Sequence, residues 1–261
     1  MKRKKRISKD KLKRGIYILP NIFTSLNMFC GFYAIIASID GKYVTSAIAI
    51  IIAVVFDILD GKIARATNTT SKFGVEYDSL ADLVSFGVAP GVMMYLWALK
   101  PMGRIGWLAA FLFMICGALR LARFNASVDT VSKNSFTGLP IPAAAGMAAT
   151  TVLFYNKFGI ASTSNCILPL IMLYLLSFLM VSAIKYDCFK QHELFRKMNF
   201  NVLVAVILIL IFIAAQPSIA LFLLGVAYLV SGPFKIIRIM RHSKQKKTEI
   251  HDIDKQISNS L

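Results

Sequence analysis

DILDGKIARATNTTSKFGVEYDSLAD, residues 57–82, is the stretch that decides the fold, because it places acidic residues among long apolar runs. It holds five of the 13 acidic residues of the 261-residue chain, and the other eight lie in loops or tails. A carboxylate at membrane depth costs at least a few kcal/mol and is by default a functional residue. We therefore expect a site that uses these carboxylates.

The composition around this stretch is that of a membrane protein. The chain is 57% hydrophobic and 16% charged, with a mean hydropathy of +0.64, against roughly 45–50% and ~25% in soluble domains. We predict an all-α integral membrane protein with about eight transmembrane helices, since eight apolar windows approach the length that crosses a ~30 Å hydrocarbon core. The windows are 19–38, 46–66, 76–98, 105–122, 141–156, 167–184, 198–215 and 218–234.

The basic residues predict the orientation. With the N-terminus in the cytoplasm, 26 of the 30 Lys and Arg residues fall on the cytoplasmic side, as the positive-inside bias requires. We predict a multi-pass protein of the cytoplasmic membrane with both termini and the active site in the cytoplasm. The basic arm 1–17 is expected to bind anionic lipids and not nucleic acid, 18–238 to form the catalytic membrane domain, mainly through 46–146, and 239–261 to form a polar tail.

Helix geometry brings the acids together. At ~100° per residue, Asp57 and Asp60 share a face with Gly61, Ala64 and Arg65. The next helix repeats an i, i+4 spacing, and a turn near 68–73 brings the two faces to one depth. The residues on that second face are Gly74, Asp78 and Asp82.

Four such carboxylates need cations to stay ionised together in a low dielectric. Oxygen ligands without His or Cys select Mg²⁺, Mn²⁺ or Ca²⁺ over zinc, and phosphate chemistry commonly uses two ions. The small residues on the same face would let a nucleotide or pyrophosphate approach the helix backbone. We predict a site for two divalent cations, Mg²⁺ or Mn²⁺.

Two other interpretations of the acids stay open at this point. They could cap helices in a cytoplasmic loop, although capping needs one acid per terminus. They could also bind the transported ion of a divalent-cation transporter, although transport sites usually lie near the bilayer midplane on broken helices.

The fixed positions of this stretch follow a known pattern, D-x-x-D-G-x-x-A-R-x8-G-x-x-x-D-x-x-x-D, from Asp57 to Asp82. The pattern resembles the signature of the CDP-alcohol phosphatidyltransferase family. Four further stretches resemble the branch of that family that uses serine as acceptor. They are PNIFTSLNMFCGF at 20–32, DSLADLVSFGVAP at 78–90, RLARFN at 120–125 and GLPIPAAAG at 138–146.

The resemblance implies a metal-dependent transfer of the phosphatidyl group from CDP-diacylglycerol to L-serine, giving phosphatidylserine and CMP by direct displacement. It implies that Asp82 is the general base and also a metal ligand with the other three aspartates, and that the enzyme is a homodimer. The CDP-lipid would be bound by Asp57, Gly61, Ala64, Arg65 and Gly74.

The acceptor is less constrained by the residues, since glycerol 3-phosphate, inositol phosphate and serine would use the same metal centre. Arg120 and Arg123 come three apart and could bind a carboxylate or a lipid phosphate, or they could merely extend to the membrane interface. Asn125 and Ser85 are further candidates for the acceptor site.

Overall fold

The computed structural model describes residues 9–67, 71–127, 136–160, 167–182, 184–186 and 200–233. The structure is almost entirely helical in this part of the chain, with eight helices that overlap the eight apolar windows. The predicted arm 1–17 lies partly, and the predicted tail 239–261 wholly, outside the described residues. The helices are α1 (Lys9–Ile39), α2 (Tyr43–Thr67), α3 (Lys72–Met102), α4 (Arg104–Ser127), α5 (Ile141–Lys157), α6 (Ile167–Val181), α7 (Phe200–Ala215) and α8 (Pro217–Pro233).

Helix length supports four of the eight predicted spans. Within the described residues, Leu19–Ile39 of α1, all of α2 and α3, and Arg104–Ala126 of α4 are long and apolar enough to cross a membrane. The later helices are shorter, and α6 and α8 are apolar helices of 15 and 17 residues. At 1.5 Å per residue these reach about 23–26 Å, less than the ~30 Å core.

Small residues let α1 and α2 pack closely as an antiparallel pair. The turn between them passes through Gly41, whose φ of +76° suits glycine. Ser38 precedes the turn and Ser46 follows it, and their hydroxyl groups lie 2.8 Å apart and join the two helices. Buried alanines occur on both helices, as expected where helix backbones approach in a membrane: Ala34, Ala37, Ala47, Ala49 and Ala53.

Helix α3 is irregular at two places. It is α-helical over Lys72–Asp82, π-helical over Leu83–Val88, α-helical again over Ala89–Met94, π-helical over Tyr95–Leu99 and ends in a 3₁₀ turn at Lys100–Met102. Pro90 has no N–H to donate to the preceding turn, which accommodates the wider first π segment. That segment begins directly after Asp82, the last acid of the motif.

Contacts with α1 and α6 set the positions of the segments around the acids. A side chain on Gly31 of α1 would overlap Ser85 of α3, so the glycine allows these helices to touch. Before α5, the Gly138 N–H donates to the Ile184 carbonyl at 2.8 Å and the Leu139 N–H to the Leu179 carbonyl at 3.0 Å. Strands β1 (Phe136–Thr137) and β2 (Lys185–Tyr186) pair antiparallel beside them.

The outer faces of the helices carry large apolar side chains. Phe29 is 64%, Phe32 58% and Phe178 72% exposed. These faces fit helices surrounded by hydrocarbon, where apolar surface needs no protein cover. The apolar helices therefore indicate an integral membrane protein.

Candidate active site

Three of the predicted metal ligands meet between α2 and α3. Asp57, Asp60 and Asp78 each offer a carboxylate oxygen, and these oxygens all lie within 4.8 Å of one another. Asp60 is 5% exposed, and the other two are half-buried. The sequence prediction that carboxylates from two successive helices converge is met by these three residues.

Local sequence explains the convergence. Asp57 and Asp60 are three residues apart on α2 and therefore share a face. The first turn of α3 is capped by Ser71, whose Oγ accepts a hydrogen bond from the Gly74 N–H at 3.0 Å. This cap fixes the start of α3, and Asp78 then lies one turn beyond Gly74.

Asp82 is placed beside this group and not within it. Its side chain is 8% exposed, and its Oδ1 accepts a hydrogen bond from the Asn27 Nδ2 at 3.1 Å. Among the described residues, its oxygens do not complete a group at the 4.8 Å spacing that joins the other three. Because Asp82 lies one helical turn (~6 Å) after Asp78, the four carboxylates are adjacent, and three of them are close enough together to hold one ion.

Helix α1 contributes two residues that the sequence analysis did not assign to the site. The Thr24 hydroxyl lies 2.9 Å from the Asp60 Oδ2 and donates to it, and Asn27 donates to Asp82. Thr24 is 3% and Asn27 0% exposed. The available signal was their spacing: two polar residues three apart in the apolar run PNIFTSLNMFCGF lie on one helix face.

The donor set fits a hard divalent cation. It consists of carboxylate oxygens, which Mg²⁺ and Mn²⁺ prefer. The Asp78 Oδ1 is buried and has no hydrogen-bond partner among the residues that the structure describes. A buried carboxylate oxygen in that condition is costly, and a cation held by Asp57, Asp60 and Asp78 would satisfy it.

The residues predicted to bind the CDP-lipid lie close to this group. The Arg65 guanidinium turns back over Gly61, with its Nη2 3.6 Å from the position that a Cβ on Gly61 would occupy. Ala64 is half-buried on the same helix. Gly74 lies against the Ser71 Oγ and the Asn21 Oδ1, at 3.2 and 3.7 Å by the same measure, so a side chain there would crowd the Ser71 cap.

A cavity of about 130 Å³ opens beside the carboxylates. Asp78 and Asp82 line one side, and Arg120 and Asn125 line it from α4. Pro140, Ile141 and Pro142, from the segment held by Gly138 and Leu139, contribute a further wall. The structure thus brings two of the predicted acceptor residues to the aspartates.

The other two predicted acceptor residues have different contacts. The Arg123 Nη1 donates to the Val181 carbonyl at the end of α6, at 3.4 Å, and its side chain is exposed. Ser85 is 0% exposed, and its hydroxyl donates to the Asn27 carbonyl at 2.9 Å. Neither lines the cavity.

Asn125 is held in place by its neighbours. Its Nδ2 donates to the Ser79 Oγ at 3.0 Å and to the Glu76 Oε2 at 3.3 Å. These contacts connect α4 with the first turns of α3. Asn125 therefore reaches the cavity with a fixed orientation.

Comparison with known proteins agrees with the pattern of the acids. The family model described as CDP-alcohol phosphatidyltransferase matches residues 17–182. A protein of Helicobacter pylori named CDP-diacylglycerol–serine O-phosphatidyltransferase is 40% identical over 225 residues, which cover 86% of this chain and 93% of that protein. A Bacillus subtilis protein of the same name is 39% identical over 174 residues, or 67% of this chain and 92% of that protein.

A third relative differs in its lipid. The archaetidylserine synthase of Methanothermobacter thermautotrophicus is 38% identical over 179 residues, which cover 68% of this chain and 72% of that protein. The match of the family model spans the three-aspartate group, Asp82 and the cavity. This chain belongs to the CDP-alcohol phosphatidyltransferase family.

Proposed function

We propose that this protein transfers the phosphatidyl group of CDP-diacylglycerol to the hydroxyl of L-serine, giving phosphatidylserine and CMP. The observation that carries the proposal is that Asp78 takes part in two features of the site. It belongs to the three-carboxylate group, and it also lines the cavity with Asp82 and Arg120. A phosphate held at the carboxylates and an acceptor in the cavity would therefore be neighbours.

The donor side of the site would hold the pyrophosphate of the CDP-lipid. We propose that Asp57, Asp60 and Asp78 bind two divalent cations, Mg²⁺ or Mn²⁺. When bound, these ions would neutralise the pyrophosphate and the charge that develops on the departing CMP. Arg65 lies next to Gly61, where its guanidinium can hold a phosphate through paired N–H groups.

The acceptor side would be the cavity. We propose that Arg120 binds the serine carboxylate, because a guanidinium matches a carboxylate in bidentate geometry. Asn125 supplies an oriented amide on the same wall. Among the described residues that line the cavity, Arg120 is the one cation, which suits an acceptor with one carboxylate better than an acceptor that carries a phosphate.

The proposed reaction is a direct displacement. The serine hydroxyl oxygen attacks the phosphatidyl phosphorus, and the bond from that phosphorus to CMP breaks. Asp82 accepts the hydroxyl proton as general base. Asp82 is buried and lines the cavity in which the acceptor would bind, and it is not a member of the three-carboxylate group, which supports this role.

The relatives support serine as the acceptor. The matched proteins of Helicobacter pylori and Bacillus subtilis are named for CDP-diacylglycerol and serine. The archaeal relative is named for a different lipid and again for serine. Serine is therefore the part of the reaction that these names share.

An acceptor panel tests the proposal. Purified protein with CDP-diacylglycerol and Mn²⁺ should release CMP with L-serine, but not with glycerol 3-phosphate or inositol phosphate. In Arg120→Gln, the KM for serine should rise about tenfold or more, since a charge-assisted hydrogen bond contributes about 1.5–3 kcal/mol. CMP release driven by glycerol 3-phosphate alone would contradict the serine assignment. Mn²⁺ flux into proteoliposomes without any CDP-lipid would favour a transporter.

We also propose the membrane arrangement that the charges favour: eight spans in the cytoplasmic membrane, with 1–17 and 239–261 in the cytoplasm and 18–238 forming the catalytic domain among membrane lipids. In a cysteine-free background, single cysteines in 243–261 should react only with reagents that enter the cytoplasm. Labelling by an impermeant reagent in intact cells would refute the arrangement. A homodimer is the expected assembly, and light scattering of the solubilised protein tests it.

A further inference from the structure

Two hydrogen bonds connect α1 to the aspartates, and each reaches a different part of the site. Thr24 donates to Asp60, a member of the three-carboxylate group, at 2.9 Å. Asn27 donates to Asp82, which lies outside that group, at 3.1 Å. The two donors are three residues apart on one helix face, so one rigid element reaches both parts.

The backbone of Asn27 is held by α3, whereas its side-chain Oδ1 is buried without a hydrogen-bond partner among the described residues. Its side chain is fully buried, and its main-chain carbonyl accepts a hydrogen bond from the Ser85 hydroxyl of α3 at 2.9 Å. One turn further along α1, Gly31 lies directly against Ser85. Asn27 therefore contacts α3 twice. Its main-chain carbonyl accepts from Ser85, and its Nδ2 donates to Asp82.

The consequence for Asp82 is a restricted carboxylate. The hydrogen bond from Asn27 to Oδ1 limits rotation of the carboxylate, and Oδ2, which Asn27 does not engage, can take a proton. A general base needs its accepting oxygen within hydrogen-bond reach of the reacting hydroxyl, and supporting hydrogen bonds keep such a group in place. For Asp60 the hydrogen bond has a different effect. A donor to a metal-binding carboxylate fixes the orientation in which that carboxylate binds the cation.

We propose that Thr24 and Asn27 are positioning residues with separate tasks. Thr24 orients Asp60 for cation binding, and Asn27 orients Asp82 for proton transfer. The Asn27 half of this inference rests on the proposed function. The Thr24 half needs only that Asp57, Asp60 and Asp78 bind a divalent cation.

The test compares two near-isosteric variants by two readouts. The first readout is the Mn²⁺ concentration that gives half of the maximal thermal stabilisation of the purified protein, measured without CDP-lipid, since a bound ion stabilises the folded state. The second is kcat for CMP release at saturating Mn²⁺. Thr24→Val should raise the Mn²⁺ midpoint about tenfold, as loss of a partner to a metal ligand commonly does, and should change kcat less than threefold.

Asn27→Leu should give the opposite pattern. Its kcat should fall about 10- to 100-fold, as expected for a misplaced reacting group, while its Mn²⁺ midpoint should stay within about twofold of wild type. Thr24→Ser retains the hydroxyl and should restore the Mn²⁺ midpoint. Asn27→Ala should show the same fall in kcat as Asn27→Leu, which separates the lost hydrogen bond from crowding by the leucine.

Ser38→Ala is the matched control. Ser38 is also buried on α1 and joins α1 to α2 by a side-chain hydrogen bond of 2.8 Å, but it lies about 16 Å along the helix from Asn27. It should leave both readouts near wild type, which would show that loss of a helix contact alone does not give either pattern.

Four results would overturn all or half of the inference. Equal losses in both readouts for both variants would show a general structural role. An unchanged kcat in Asn27→Leu would remove the Asn27 half, and an unchanged Mn²⁺ midpoint in Thr24→Val would remove the Thr24 half. A wild-type protein inactive with every acceptor would refute the proposed function and the Asn27 half together, whereas the Thr24 half would still be decided by the Mn²⁺ midpoint.

Discussion

Asp60→Asn should reduce CMP release by about 1,000-fold or more and remove the stabilisation by Mn²⁺. Asp60 is buried in the three-carboxylate group, so the change removes one negative charge from the site that neutralises the pyrophosphate. The asparagine can still accept the Thr24 hydroxyl, which limits the change to charge. The measurements are CMP release against Mn²⁺ concentration and the Mn²⁺-dependent unfolding temperature.

Asp40→Asn provides the matched control for that substitution. Asp40 is exposed in the turn between α1 and α2, where it pairs with Lys42 at 3.4 Å. The same chemical change there should leave CMP release and Mn²⁺ binding unaltered, because exposed ion pairs contribute little. Normal turnover of Asp60→Asn at limiting Mn²⁺ would show that the cation site lies elsewhere.

Asp82→Asn should separate catalysis from binding. An amide cannot accept the serine proton, so turnover should fall by about 10²–10⁴-fold, the usual contribution of a general base. The Mn²⁺ midpoint and the affinity for CDP-diacylglycerol should stay near wild type, because Asp82 lies outside the three-carboxylate group.

The family resemblance implies a different result for the same variant, because it makes Asp82 both the general base and a metal ligand. Under that interpretation Asp82→Asn would also weaken Mn²⁺ binding. The Mn²⁺ midpoint of this variant therefore decides between three carboxylate ligands and four. Full turnover of Asp82→Asn would instead remove Asp82 from the reaction.

The course of the helices was predictable because apolar length alone identifies candidate spans. All eight predicted windows contain a helix in the described part of the chain. The irregular course of α3 was not predictable in the same way. Hydropathy averages over a window and carries no information on whether the turn after Asp82 is α- or π-helical.

The convergence of the aspartates was predictable because helical spacing fixes which residues share a face. The contributions of Thr24 and Asn27 were harder to foresee. Hydroxyl groups in apolar helices often bond to their own backbone, as Ser25 does to the Asn21 carbonyl at 2.8 Å. Only the packing of α1 against α2 and α3 shows that Thr24 also reaches across to a carboxylate.

The two arginines of α4 show the limit of spacing arguments for long side chains. Residues three apart are about 60° apart around a helix, which is close enough to predict a shared ligand. In the structure, Arg120 lines the cavity, whereas Arg123 reaches the Val181 carbonyl of α6. The end of α6 could not be placed there from the sequence, since that contact joins distant parts of the chain.

The most direct test of the account is to follow both products of one reaction. Purified protein is incubated with CDP-diacylglycerol, Mn²⁺ and radiolabelled L-serine, and CMP and lipid-extractable label are measured together. We predict equal molar amounts of CMP and labelled phosphatidylserine, and loss of both when the cation is removed with EDTA. CMP release without label in the lipid, or label that enters lipid without Mn²⁺ or Mg²⁺, would contradict a cation-dependent transfer of the phosphatidyl group to serine.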